Sequence, residues 1–317
     1  MSEKKTIAVV GATGSQGGGL ARSILDEPDG PFRVRALTRS PDSDPARALA
    51  DRGAEVVEAD LDEPESLRRA FDGAYGAYCV TNFWEHFSAE KEIQQVRNMA
   101  AAAKDAGLEH VIWSTLDDTR EKVPLDDDRM PTLQDKYKVP HFDGKGEANA
   151  IWNEVGVPAT FFYTVFYWDN LIHFGSGPQR GEDGILRFVL PMDDAKLAGI
   201  AVEDIGRCAH GILKEGTQHV GRDVGIAGEH LTGQEMADAL TEALGEKVVH
   251  AAVSPDTYRS FDFPGADDLG NMFQYYRDFE DEFLASRSVE VARRLNPELQ
   301  SFSDWLDENA ERIPIDE

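Results

Sequence analysis

A chain of 317 residues with 41% hydrophobic and 29% charged side chains is globular and has enough apolar residues for a sizeable core. Its 59 Asp and Glu against 32 Lys and Arg leave a net charge of −27, which repels phosphate backbones and argues against direct nucleic-acid binding. Two cysteines, Cys79 and Cys208, are too few for a disulfide framework or a cysteine-built zinc site, and fit a reducing, cytoplasmic setting. The longest run with few polar interruptions, Val157 to Trp168, falls short of the ~20 apolar residues of a membrane span. Met1 to Thr6 leads into a strand-like segment without a signal-peptide core.

In chain order, Thr6 to Val10 is a β-rich run, Gly11 to Gly17 a glycine turn, and Leu20, Ile24 and Leu25 keep helical spacing. Strands are expected at Phe32 to Leu37, Ala54 to Glu58, Ala74 to Val80 and His110 to Ser114, with helices at Pro45 to Asp51, Pro64 to Phe71 and Ala89 to Ala106. This alternation predicts an α/β chain with a doubly wound, parallel, Rossmann-type sheet. Residues 117–143, charged and carrying three prolines, read as a long functional or mobile loop. Lys145 to Asn153 resumes a helix and Ala159 to Tyr163 gives a sixth strand. Beyond lie short strands at Leu186 to Leu190 and Leu197 to Ala201, and helices at Gly233 to Leu244, Pro255 to Phe261 and Asp267 to Arg294. We therefore expect a nucleotide domain over 1–165, with later strands returning to its sheet, and a smaller C-terminal α/β lobe over 166–317.

The loop Gly11-Ala12-Thr13-Gly14-Ser15-Gln16-Gly17 has G-x-x-G-x-x-G spacing at the first strand–helix junction. Glycines there allow a tight turn, let backbone N–H groups approach a diphosphate, and let helix and strand pack closely. An NAD-specific fold carries Asp or Glu at the end of the second strand to bind the ribose 2′-OH. Here Arg39 stands in that place, and a guanidinium can grip a 2′-phosphate, so NADP(H) is favoured over NAD(H). The same arginine could instead simply face water. Asp60 and Leu61 follow the third strand, where such folds meet adenine; Asp60 could accept from the adenine amino group or cap the next helix.

Short-chain dehydrogenases shuttle a proton through Tyr-x-x-x-Lys. None of the eight tyrosines has a lysine four residues on. In the expected place stands His141-Phe142-Asp143-Gly144-Lys145, with Lys145 at the ribose-binding position and His141 replacing the tyrosine. That histidine is either a proton donor near neutral pH or a helix-entry residue without chemistry. Ser114, ending the fifth strand, is either a substrate-orienting hydroxyl or a strand-end hydrogen-bonding group.

The glycine loop, Val80-Thr81-Asn82-Phe83-Trp84-Glu85 and His141 to Glu147 together resemble the NmrA-like proteins, and within them the NADPH-sensing HSCARG type. Phe263 to Phe273, Leu295-Asn296-Pro297 and Trp305-Leu306 extend the resemblance over nearly the whole chain. It implies an atypical short-chain dehydrogenase fold without the active-site tyrosine, which reports the NADPH/NADP ratio through a protein partner. It also implies coenzyme contacts from the glycine loop, Arg39, Asp60, Thr81, Asn82, Phe83, Arg97 and Lys145, and a segment Tyr167-Trp168-Asp169-Asn170 closing over the nicotinamide. The family often has a second basic residue after the arginine, where this chain has Asp42 and Ser43.

The expected function is thus an NADP(H)-responsive regulator with a protein partner, and a homodimer is compatible with it. The alternative is an NADPH-dependent reductase of quinone or isoflavone-reductase character, acting on a small molecule through Lys145 with His141 or a hydroxyl. A sugar-nucleotide epimerase is disfavoured because that chemistry wants the tyrosine. Finally, 11 lysines among 32 basic residues on so acidic a chain resemble the composition of proteins from salt-loving archaea. At ~1 M salt the Debye length falls to about 3 Å and screens such self-repulsion.

Overall fold

The computed structural model describes residues 3–315. Two compact units emerge. The first comprises the chain up to Asp118, His141–Thr164 and Val202–Val224; the second comprises Thr119–Pro140, Val165–Ala201 and the chain from Gly225 onward.

In the first unit, β1 (Lys5–Val10), α1 (Ser15–Leu25), β2 (Phe32–Thr38), α2 (Asp44–Asp51), β3 (Glu55–Glu58), α3 (Pro64–Phe71), β4 (Gly76–Cys79), α4 (Ala89–Asp105), β5 (His110–Thr115), α5 (Pro140–Val155) and β6 (Ala159–Tyr163) alternate along the chain. Helix α6 (Val202–Glu215) and strand β7 (Asp223–Gly225) complete it. The seven strands lie in the order β7-β6-β5-β4-β1-β2-β3. The pairings from β3 through β6 are all parallel. Strand β1 registers with both β2 and β4, Val9 facing Ala36 on one side and Tyr78 on the other. The chain therefore winds away from β1 in both directions, and the order reverses between β1 and β4. That reversal opens a crevice at the carboxyl ends of these strands, where open α/β sheets take their ligands. The sheet's interior strands are apolar because helices cover them, and Val10, Phe71, Val96, Met99, Trp113 and Trp152 share one buried cluster.

The second unit holds two three-stranded sheets. One joins Glu229–Thr232, Lys196–Ile200 and Phe166–Tyr167; the other joins Val248–Ala251, Leu186–Val189 and Gln179–Arg180. Trp168, Phe302 and Trp305 form its aromatic centre, the last two stacked at 8°. Residues 119–140 belong to this unit and are held rather than loose. Asn271 Nδ2 donates to the carbonyls of Pro131 and Lys138, and Gln274 Nε2 to that of Arg129. Lys138, 1% exposed, folds back to donate to the carbonyls of Asp127 and Met130.

Several expectations need correction. Within the expected domain bounds 119–140 lies in the second unit, and the return to the first sheet expected of later strands, here β7, brings the whole of Val202–Val224 into the first unit. The cause is close packing of α6 on α1: a Cβ on Gly206 would lie 2.1 Å from the Gly19 carbonyl carbon. Helix α5 begins at Pro140, five residues before Lys145. The long helix expected over Asp267 to Arg294 is three, Ala266–Asp278, Glu280–Ser286 and Val289–Leu295, because Phe279 and Arg287 leave helical geometry.

Candidate functional site

At the crevice, Gly11 turns the chain out of β1 with φ +64, a conformation that side chains disfavour. The turn closes through Gly14 N–H donating to Gly11 O at 2.9 Å. A Cβ on Gly17 would lie 2.5 Å from Val10 O and 2.6 Å from Gly11 O, so glycine there is required by the helix–strand contact. A Cβ on Gly14 would meet only Gly11 O, at 3.3 Å. The space over Gly14 is therefore open, and Gly11, Gly14 and Ser15 are exposed, with Ala12 buried and Thr13 and Gln16 half-buried. Gly14 caps α1 without a side-chain hydrogen bond, and no acidic residue occupies the first turn. The leading N–H groups of α1 lack intrahelical acceptors and the helix dipole adds positive potential, so this cradle fits a diphosphate.

Arg39 extends from the end of β2 with its side chain 59% exposed. It is hydrogen-bonded to Glu85, from the single turn Phe83–Glu85 after β4. That bond, with Asp60 and Asp62 nearby, holds the guanidinium proton above its ordinary range. Asp60 serves its own turn: its backbone N–H donates to Ser66 Oγ at 3.0 Å and its Oδ1 accepts from Asp62 N–H at 2.9 Å. It does not cap α3, whose N-cap is Glu63. Leu61 is half-buried, its carbonyl accepting from Asn98 Nδ2, and Arg97 lies exposed on α4.

Lys145 is 8% exposed and bound on three sides. Its Nζ donates to Glu92 Oε1 at 2.8 Å, Thr81 Oγ1 at 2.5 Å and Thr81 O at 3.0 Å. Thr81 Oγ1 in turn donates to Glu92 Oε1 at 2.7 Å. Glycines on either side of the lysine make this possible. A Cβ on Gly144 would meet Ala89 Cβ at 3.0 Å, and one on Gly146 would meet Asp118 N at 2.5 Å. Helix α5 thus presses against the start of α4, which carries Glu92. Glu92 is fully buried, and its Oε2 has no hydrogen-bond partner among the described residues. Its place beside Ile93, Val96, Met99 and Ala103 on the apolar face of α4 was the available signal for it.

His141 is 7% exposed and walled by aromatic rings, its own ring centroid lying 4.9 Å from that of Trp84, 4.8 Å from Phe142 and 5.9 Å from Phe83. Asn82 is exposed beside buried Phe83. Ser114 Oγ donates to Gln16 Oε1 at 2.7 Å, and Tyr78 OH donates to the same oxygen, tying the glycine loop to β4 and β5. Burial raises the Cys79 thiol out of the reactive range. The structure thus gathers the glycine loop, Arg39, Thr81, Phe83, Ser114, His141 and Lys145 in the first unit. Tyr167, Trp168, Asp169 and Asn170 fall in the second: Trp168 is 1% exposed in its aromatic centre, and Asp169 precedes the short helix Asn170–His173.

A parallel sheet with a glycine cradle at its strand-order reversal defines the dinucleotide-binding class of α/β proteins. The NmrA-like family model matches residues 3–306, and the chain belongs to the NmrA-like family. It is 31% identical over 278 residues to the NmrA-like family domain-containing oxidoreductase FrzB of a Cladobotryum species, covering 83% of this chain and 80% of that protein. Its fold matches the negative transcriptional regulator NmrA in complex with NADP, at a TM-score of 0.78 and 24% identity over 97% of this chain and 95% of the other. It also matches the Citrobacter triphenylmethane reductase complexed with NADP(H), at a TM-score of 0.74 and 21% identity, covering 97% and 99%.

Proposed function

We propose that the chain binds NADP(H), with NAD(H) as the weaker ligand, and acts as a redox-responsive regulator of the NADPH-sensing type. Its diphosphate would rest on the N–H groups around Gly14, with Arg39 toward the 2′-phosphate. When bound, the coenzyme supplies a hydride at the nicotinamide. What supports regulation without turnover is the engagement of every candidate acid: Lys145 is held by Glu92 and Thr81, Ser114 donates to Gln16, and His141 is enclosed by aromatic rings. In this reading the output is a contact with a protein partner.

A second reading, an NADPH-dependent reductase, is favoured by the oxidoreductase names of the fungal relatives. A site without a ready proton donor suits acceptors that need none, such as cations that become neutral on taking a hydride. Calorimetry with both coenzymes, followed by NADPH oxidation against quinones, aldehydes and cationic dyes, separates the two. Tight NADPH binding without turnover supports the regulator, whereas turnover by the wild type that is lost in Lys145→Ala/Glu92→Gln protein shown to be folded establishes the reductase. No heat from either coenzyme in folded protein overturns both.

A further inference from the structure

We propose that Glu85 is a specificity-determining residue: it supplies, from the turn after β4, the carboxylate missing at the end of β2, and competes with a 2′-phosphate for Arg39. The inference rests on the coenzyme reading above. Arg39 is bonded to Glu85, and both side chains are substantially exposed, at 59% and 45%. The arginine therefore meets an arriving phosphate already engaged. The surrounding charge is unfavourable as well. Asp60 and Asp62 act on Arg39 alongside Glu85, and Asp62 is itself paired with Lys91 at 3.0 Å. One guanidinium and one ammonium thus face three carboxylates before the dianionic phosphate enters.

An unphosphorylated ribose meets different chemistry. A 2′-hydroxyl is a hydrogen-bond donor, and carboxylates select NAD(H) by accepting from it. Glu85 can accept that bond while keeping Arg39 as its partner, so the pair serves NAD(H) intact and narrows, without reversing, the preference for NADP(H). NADP(H) needs the pair broken, with Arg39 turned to phosphate and Glu85 displaced by like-charge repulsion. Glu85 closes the turn Phe83–Glu85, and two residues beyond it Phe87, at φ +53, donates its N–H back to Phe83 O. Trp84 is its immediate neighbour, packed 4.9 Å from the His141 ring. Displacement of Glu85 therefore disturbs an aromatic segment, and indole emission reports it.

The test is calorimetry of NADPH and NADH with the full-length protein and with Glu85→Gln, Glu85→Ala, Arg39→Ala and Arg39→Ala/Glu85→Gln. Glu85→Gln should tighten NADPH ~3- to 10-fold, the size of an exposed ion pair plus one removed like charge, and weaken NADH about 2- to 5-fold. Glu85→Ala should move the NADPH/NADH ratio the same way, and in the Arg39→Ala background the NADPH gain should shrink to the like-charge part alone, less than half of its full size on a logarithmic scale. Read with the oxidised coenzymes, whose nicotinamide does not absorb where indole emits, NADP, and not NAD, should shift the emission, with Trp84→Phe removing the shift. An affinity ratio unchanged in both Glu85 variants, or an NADPH gain that is undiminished without Arg39, would overturn the inference while leaving coenzyme binding intact. No binding of either coenzyme to folded wild-type protein would overturn the coenzyme reading and this inference with it.

Discussion

Lys145→Met removes a buried ammonium whose carboxylate partner has no other cation on it among the described residues. Glu92 is fully buried, Lys145 is 8% exposed, and their 2.8 Å contact is supported by Thr81. Deleting one member of such a pair leaves the other desolvated, at a cost of about 3–5 kcal/mol. Glu92→Gln should cost somewhat less, since the amide oxygen can still accept from Lys145. The double variant Lys145→Met/Glu92→Gln retains no uncompensated charge. It should therefore be more stable than the sum of the single losses predicts, with a coupling of ~2 kcal/mol. Urea unfolding at one fixed high salt concentration measures all three. Indole emission is a fitting probe because Lys145 Nζ lies 5.4 Å from the Trp113 ring. Single losses below ~1 kcal/mol, or strictly additive ones, would refute the buried pair.

Gly17→Ala should destabilise the fold by ~3 kcal/mol, because its Cβ would press on two backbone oxygens. Gly14→Ala, whose Cβ meets one atom at 3.3 Å, should fold normally and lose diphosphate affinity; melting curves and calorimetry separate the two effects. Burial pushes His110 and His210 down to about 4, so between pH 6.5 and 4 the unfolded chain takes up protons that the folded chain refuses. Their contribution is complete above pH 6.5 and is lost as pH falls, by up to ~3 kcal/mol each. His219 faces the first, and Glu27 and Lys214 the second; a flat stability profile over that window would exclude the effect. With a net charge of −27, the melting midpoint should climb as salt rises toward ~1 M, and a midpoint indifferent to salt would remove the halophilic reading.

The first half of the fold was legible because strand-like and helix-like segments alternate cleanly and glycines punctuate them. Polar–apolar alternation within the strands was not needed there: β4, β5 and, after Lys5, β1 are continuously buried runs of a covered parallel sheet. Gly11, Gly14 and Gly17 announced the cradle in the same way. In the later chain the strands at Leu186–Val189 and Lys196–Ile200 and the helices at Gly233–Leu244 and Pro255–Arg259 were legible too, and the rest was opaque for physical reasons. Strands of two to four residues, such as Phe166–Tyr167 and Gln179–Arg180, carry no period to read. Helix α6 has a clear amphipathic face, but its destination depends on Gly206 meeting Gly19, a contact between residues far apart in sequence. At the site, local motifs identified Lys145 and Arg39. Their carboxylate partners come from other elements, α4 and the turn after β4, so only the folded chain pairs them.

The seating of α6 on α1 also governs the order of assembly. During synthesis the ribosome has made every strand from β1 to β6 long before Val202–Glu215 emerges, and until then the small-residue face around Gly19 has no cover. A nascent chain released near residue 165 would present that bare face to solvent and leave β6 without its outer neighbour β7. Severing the backbone between 165 and 201, by contrast, would leave the nucleotide unit as two fragments joined by that helix pair and by β7 beside β6, and a denaturing gel would reveal the cut.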